Sequence, residues 1–228
     1  MRQRLELALS IAVTLSSTVI AGAVVHRTWF ASANAERART PGAPPVRVDA
    51  WEELINVGIQ SGPESAPITI LEFGDFECPS CRRFETSLEE LEMEFPGQIS
   101  TVFVHFPLPN HRFASAAARA AECAHDQGRF VGIRRAMFRK QDSLGLKSWR
   151  SLAEEAGIPD PTAFESCLKE TDPIRRVEQG LEWGEKLRIV GTPTIIINGW
   201  MYIYPPARAE LRDVAARLIA GNDPFRRN

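Results

Sequence analysis

The chain has 228 residues, a formal net charge of -2 at pH 7, and 44% hydrophobic and 25% charged side chains. Such a composition suits one globular core with an elaboration rather than two full domains, and the near-neutral charge gives no electrostatic basis for nucleic acid as a partner. The four cysteines divide into a close pair, Cys78 and Cys81, and two distant singles, Cys123 and Cys167, so their chemistry depends on the redox state of the compartment.

The N-terminus addresses that question first. After the basic start MRQR, the stretch from Leu7 to Val25 carries no charge, and as a helix it would reach about 28 Å, close to the roughly 30 Å hydrocarbon core. Residues 1–33 therefore read as an export segment, with residues 5–25 the expected membrane contact. Its length favours a retained anchor over a cleaved signal, although Ala33-Asn34-Ala35 offers a small-residue cleavage pattern; a buried core helix is the remaining alternative. Arg2 and Arg4 keep the short N-terminus cytoplasmic, against a weaker opposing pull from His26 and Arg27. Either export reading places the rest of the chain outside the cytoplasm.

Residues 34–50 are rich in Pro, Ala and Arg and read as a linker, leaving 51–228 as the folded domain. DAWEELIN predicts a short opening helix that Asp49 could cap, followed by the turn SGPESAP. ITILEF at 68–73 is an apolar, β-rich run expected of a central strand, and it feeds directly into GDFECPSC. A helix follows through Phe95, its apolar stripe Phe84, Leu88, Leu91 and Phe95 ended by Pro96-Gly97. ISTVFVHF at 99–106 is a second strand, which gives a βαβ unit with Cys78 at the carboxyl end of the first strand, where such units place reactive groups. Residues 112–188 are helical in character, an inserted helical part. TPTIIING and WMYIYP then predict two strands, and ARAELRDVAARLIAG a final amphipathic helix. The fold class is α/β.

The chemistry concentrates in Cys78-Pro79-Ser80-Cys81. Two sulfurs three residues apart share a helix face and can close a small disulfide ring. At the helix start Cys78 meets unsatisfied N–H groups and the positive end of the dipole, which favour the thiolate. Pro79 fits the first turn, where its missing N–H has no partner to lose. Cys78 is thus the expected nucleophile and Cys81, one turn further in, the buried resolving thiol. A zinc half-site would need two further ligands; the four histidines are scattered and the other cysteines are single, so no metal and no cofactor is expected.

APITILEFGDFECPSC, FVHFPLPNHRFASAAARAAECAHDQGRF, FESCL and VGTPTIIING occur in an order that resembles the DsbA-like branch of the thioredoxin superfamily, in particular the DsbA/DsbG-like thioredoxin_4 group, over roughly residues 54–220. The resemblance implies a thioredoxin fold interrupted by an α-helical domain, with a cis-proline loop, Thr192-Pro193, facing the active site. That loop, with Pro79 and Ser80, would bind substrate; without the family, Pro193 would read only as a strand-initiating proline. Glu72 stands where relatives carry a buried acid that relays protons to the resolving cysteine, a role that suits a buried carboxyl; a solvated strand edge is the alternative. Relatives also pair the cysteines of AAECA and FESCL, so Cys123 and Cys167 are expected as a structural disulfide, or else as two buried thiols. Glu77 reads as a surface charge. The Pro-Ser dipeptide lacks the histidine that strong oxidants of the family place before the resolving cysteine, and Thr192 stands where others have valine.

The expected function is an extracytoplasmic protein disulfide oxidoreductase that donates the Cys78-Cys81 disulfide to exported cysteine-containing proteins and is reoxidised by a membrane redox partner. A reductase or isomerase kept reduced by a membrane donor is the alternative, although residues 34–50 are too short for an isomerase's dimerisation domain. A non-catalytic substrate-binding module is a third, which would not need two thiols.

Overall fold

The computed structural model describes residues 43–225. The expected anchor or signal at 1–33 and the first part of the linker lie outside the described residues. Among the described residues, no helix is long and apolar enough to cross a membrane.

The sheet begins inside the stretch that composition assigns to the linker. β1 (Val46–Arg47) pairs antiparallel with β6 (Trp200–Tyr202) through Val46↔Met201 and Arg47↔Trp200. A second short strand, β2 (Ile59–Ser61), pairs antiparallel with β4 (Ile99–His105). Neither strand shows as a hydrophobic run: each occupies a sheet edge, and two exposed residues in β1 or three partly covered ones in β2 carry no alternation long enough to register. Between them, Trp51–Asn56 forms a 3-10 helix. Asp49 does not cap it. Ala50 takes the capping position in the left-handed region, at φ 56°, and no side chain closes the turn.

The strand order is β1-β6-β5-β3-β4-β2, with β3 (Ile68–Gly74) parallel to β4 and antiparallel to β5 (Thr194–Ile197). Because β3 is interior and covered on both faces, six of its seven residues are buried, Glu72 among them, as expected of a central strand. Its alternate residues serve different layers. Ile68 and Ile70 pack with Phe84, Leu88 and Leu91 of α1 (Pro79–Glu94) and with Leu211 and Val214 of α7 (Arg208–Ile219). Leu71 and Phe73 pack on the other face with Leu54 and Val48, and with Trp183 of α6 (Arg175–Lys186). Gly180 permits that approach of α6, since a Cβ there would collide with the His105 carbonyl.

Between β4 and β5 the chain is helical: α2 (Ala114–His125), α3 (Phe130–Arg139), α4 (Trp149–Ala156), α5 (Pro161–Cys167) and α6. Local signals set several of these ends. Ser148 accepts from the Ser151 N–H at the start of α4, Gly157 ends α4 at φ 68°, and Asp160 accepts from Thr162 and Ala163 with Pro161 in the first turn of α5. A Cys123–Cys167 disulfide, with Cα atoms 5.8 Å apart, ties α2 to α5. The insertion's core, including Ile133, Met137, Leu152 and Phe164, is continuous with Phe76, Cys78 and Cys81. This is a thioredoxin fold with a helical insertion, and the insertion forms one wall of the CPSC segment.

Candidate active site

β3 ends at Gly74, and the next three residues turn the chain into α1. Asp75, three residues before Cys78 and outside the CPSC motif, organises that turn. Its Oδ1 accepts from the Glu77 N–H at 2.8 Å, its backbone carbonyl accepts from the Cys78 N–H at 3.1 Å, and its Oδ2 accepts from the Leu108 N–H and pairs with His111 Nδ1, both at 2.8 Å. Asp75 is almost fully buried. Glu77 is not the free surface charge expected: its Oε2 accepts from the Phe113 N–H at 2.6 Å, at the start of α2. The segment before Cys78 is therefore laced to the segment that follows β4.

Cys78 takes the N-cap position of α1 in an extended conformation, and Pro79 opens the helix. A residue of the insertion, Gln141, reaches in and donates from Nε2 to the Phe76 carbonyl at 2.7 Å and to the Cys78 carbonyl at 2.9 Å. Opposite, the Thr192-Pro193 bond is cis, and Cys78 Sγ lies 3.2 Å from the Thr192 carbonyl oxygen, to which it donates when protonated. Pro79 is exposed beside Cys78, and Ser80 Oγ accepts from Arg83 at 2.7 Å.

The two thiols are free and their environments push them apart. Cys78 is lowered from 9.0 to about 5, first by a hydrogen bond from the Cys81 thiol and further by the Thr192 side chain and the Cys81 and Ser80 backbone N–H groups, against the opposing effect of burial. Cys81, 0% exposed, is pushed well above 9.0, mainly by burial and then by Cys78 and Glu72. The surroundings therefore favour the thiolate at Cys78 and the protonated thiol at Cys81.

Glu72 is buried, at 3% exposure, rather than at a solvated edge. Neither of its oxygens has a hydrogen-bond partner of ordinary geometry, while the nearby Cys81 thiol still favours the ionised form. Burial, reinforced by the charge of Glu85, raises it from 4.5 to about 8. Beside it lies a buried pair: Arg134 Nε of α3 stands 3.1 Å from Glu85 Oε1 of α1. Arg134 carried no local signal, since only the docking of α3 brings it under α1. The structure thus gathers Cys78, Cys81, Glu72, Thr192 and Pro193 at one place, with Pro79 and Ser80 at its mouth. Cys123 and Cys167 form their own bond within the insertion.

Comparison with known proteins agrees with this architecture. BdbD from Bacillus subtilis, in its oxidised form, superposes with a TM-score of 0.63 at 22% identity, over 78% of this chain and 97% of that one. A thioredoxin-like oxidoreductase from Silicibacter pomeroyi DSS-3 gives 0.61 at 22% identity, over 74% and 97%. In sequence, the Na(+)/H(+) antiporter NhaA 1 of Salinispora arenicola is 34% identical over 139 residues, 60% of this chain but 21% of the antiporter. The chain thus spans about a fifth of the length of the curated relatives it matches. The Thioredoxin_4 family model, described as Thioredoxin, matches residues 56–214. With more than half of its length matched by that model, the chain belongs to the Thioredoxin_4 family.

Proposed function

We propose that this protein is a thiol-disulfide oxidoreductase of the DsbA type that works outside the cytoplasm and donates a Cys78–Cys81 disulfide to exported cysteine-containing proteins. The observation that carries the reading is the placement of two free thiols: Cys78 at the start of α1, its Sγ 3.2 Å from the carbonyl of the cis Thr192-Pro193 loop, and Cys81 fully buried one turn further in, an arrangement that lowers the first thiol and raises the second. In the oxidised pair, a substrate thiolate attacks Cys78 Sγ, the Cys78–Cys81 bond breaks, and Cys81 leaves as a thiolate that takes a proton from Glu72. A second substrate thiolate then attacks the substrate sulfur of the mixed disulfide. Cys78 leaves as a thiolate, the substrate disulfide forms, and two electrons have passed to the pair. A membrane redox partner that accepts those electrons restores the disulfide.

The stabilised Cys78 thiolate favours the donating direction, because it holds the dithiol product down in energy. The cis Thr192-Pro193 loop beside Cys78 supports a substrate strand docking against free backbone groups. The Cys123–Cys167 disulfide and the uncharged stretch from Leu7 to Val25 support an oxidising, extracytoplasmic setting, with the domain held at the membrane by an N-terminal anchor. Antiport is not carried over from the curated relatives, since the match covers about a fifth of them.

The test is oxidation of a reduced two-cysteine peptide by the protein and by Cys78→Ser. The substitution is expected to abolish oxidation while the circular dichroism spectrum is retained. Oxidation persisting in a folded Cys78→Ser protein removes the nucleophile assignment.

A further inference from the structure

Below Cys81 the structure buries more carboxylate than it neutralises. Glu72 and Glu85 are each 3% exposed, Arg134 is 2% exposed, and the guanidinium contacts Glu85 at 3.1 Å. Three carboxyl oxygens here, both of Glu72 and Oε2 of Glu85, have no hydrogen-bond partner. Burying two carboxylates against one cation would leave a net charge in a low-dielectric interior, which is far costlier than retaining a proton. The geometry says which carboxyl retains it: Glu85 touches the guanidinium and Glu72 does not.

We propose that the Glu85–Arg134 ion pair is a positioning device that reserves the cation for Glu85 and withholds it from Glu72, and so ties the docking of the helical insertion to proton transfer at Cys81. This rests on the reading of Glu72 as the proton partner of Cys81. Glu85 lies four residues beyond Cys81 in α1, so both project from one helix face. Arg134 comes from α3, so the cation reaches Glu85 only through the docked insertion. The effects on Glu72 agree in sign: Glu85 raises it and Arg134 lowers it.

The groups facing Glu72 are few. Cys78, Cys81 and Glu85 come from α1 and Arg134 from α3. Glu92 of α1 acts on both Glu85 and Arg134, and Glu89 of α1 on Glu85. On the neighbouring strand β4, His105 lies two residues beyond Phe103, the residue paired with Glu72, and is hydrogen-bonded at 3.0 Å to Glu122 of α2. β5 contributes only Thr194 and three isoleucines.

The step to measure is release of glutathione from a Cys78 mixed disulfide. The Cys81 thiol gives its proton to ionised Glu72, its sulfur attacks Cys78 Sγ, and glutathione departs as a thiolate with the electrons of the broken bond. In the full chain, the release rate between pH 5 and 9 is expected to rise with an inflection near the Glu72 value of about 8. Glu85→Gln frees Arg134 to face Glu72 and is expected to move the inflection down by about one pH unit or more, which is about tenfold faster release on its acid side. Glu85→Gln with Arg134→Met removes both charges and is expected to move it back up; this variant also guards against an unfolded single Arg134 replacement. An inflection that Glu85→Gln shifts by less than about 0.3 unit overturns the proposal. Glu72→Gln separates the two readings. Loss of the inflection in that variant retains Glu72 as proton partner whatever Glu85→Gln does, whereas an undisturbed inflection overturns the Glu72 reading and this one with it.

Discussion

Replacing Cys81 by alanine removes the group with the largest effect on Cys78. The Cys81 thiol donates to the Cys78 sulfur and is the first cause of its fall from 9.0 to about 5; the Thr192 side chain and two backbone N–H groups supply the rest. At pH 7 a thiol titrating at about 5 rather than 9.0 is stabilised as thiolate by roughly two pH units, which is about 2.7 kcal/mol. That is an upper figure, because solvent at the mouth of the site screens part of it. For a two-electron couple the same energy is about 60 mV toward the oxidising side. Alkylation rate at one pH is a poor reporter, since the gain in thiolate fraction is largely offset by lower nucleophilicity, with a Brønsted slope of about 0.4–0.5. The position of the titration is the better observable. Thiolate absorbance near 240 nm, followed against pH, is expected to show a midpoint near 5 in the reduced protein and one at least about a unit higher in Cys81→Ala, still below 9 because the other donors remain. A midpoint near 9 in the unaltered protein, or one that Cys81→Ala leaves in place, refutes the account of how this site makes a thiolate.

Glu72 gives a dependence of stability on pH with the opposite sign. Its folded value of about 8 lies above the ordinary 4.5, so the folded state holds a proton that the unfolded chain releases; stability is fully present below about 4.5 and is lost as pH rises toward 8. Because the Cys78 thiolate stabilises the reduced protein in the opposite sense over the same range, the decline is read in Cys78→Ser: its urea midpoints are expected to fall between pH 5 and pH 8, and Glu72→Gln in that background to flatten the fall; an equal decline in the double variant would assign it to other groups. Gln141→Ala strips the Phe76 and Cys78 carbonyls of their buried donor and is expected to cost about 2 kcal/mol in urea unfolding. It is also expected to change the Cys78 titration, because the carbonyl it holds begins α1; no effect on either measurement counts against this anchoring. Replacing Cys123 and Cys167 together by alanine opens a loop of about 45 residues and is expected to lower stability by about 4 kcal/mol, and a loss under about 1 kcal/mol would argue that the bond constrains little.

The central strands, the helix from Pro79 and the helices after β4 were legible in the sequence because each carries its own period or cap. The runs at 68–73 and 99–106 are mostly apolar and β-rich, and Asp160-Pro161 announces a helix start by local chemistry. β1 and β2 were not legible, since edge strands of two and three residues are defined by their partners rather than by their own pattern. Asp49 failed as a cap because Ala50 enters the left-handed region at that point.

At the site, the CPSC spacing announces itself, whereas its supports come from distant segments. Gln141 and Arg134 arrive only when the insertion docks, and a lone Gln or Arg in a helical stretch looks like a solvated face. Asp75 offered the one available signal, an acid that begins a turn directly after a buried strand, where an Asx side chain can accept from the backbone two residues on. Glu72 could not be assigned to core or edge until both neighbours of β3 were known, because burial of a strand residue depends on what covers that face.

The reduction potential of the Cys78–Cys81 pair, equilibrated against glutathione, tests the central claim most directly. A disulfide donor whose product is a stabilised thiolate is expected to lie closer to about -120 mV, the range of strong oxidants, than to about -270 mV, that of reductants. A potential at or below about -270 mV would contradict it and make this site a source of electrons.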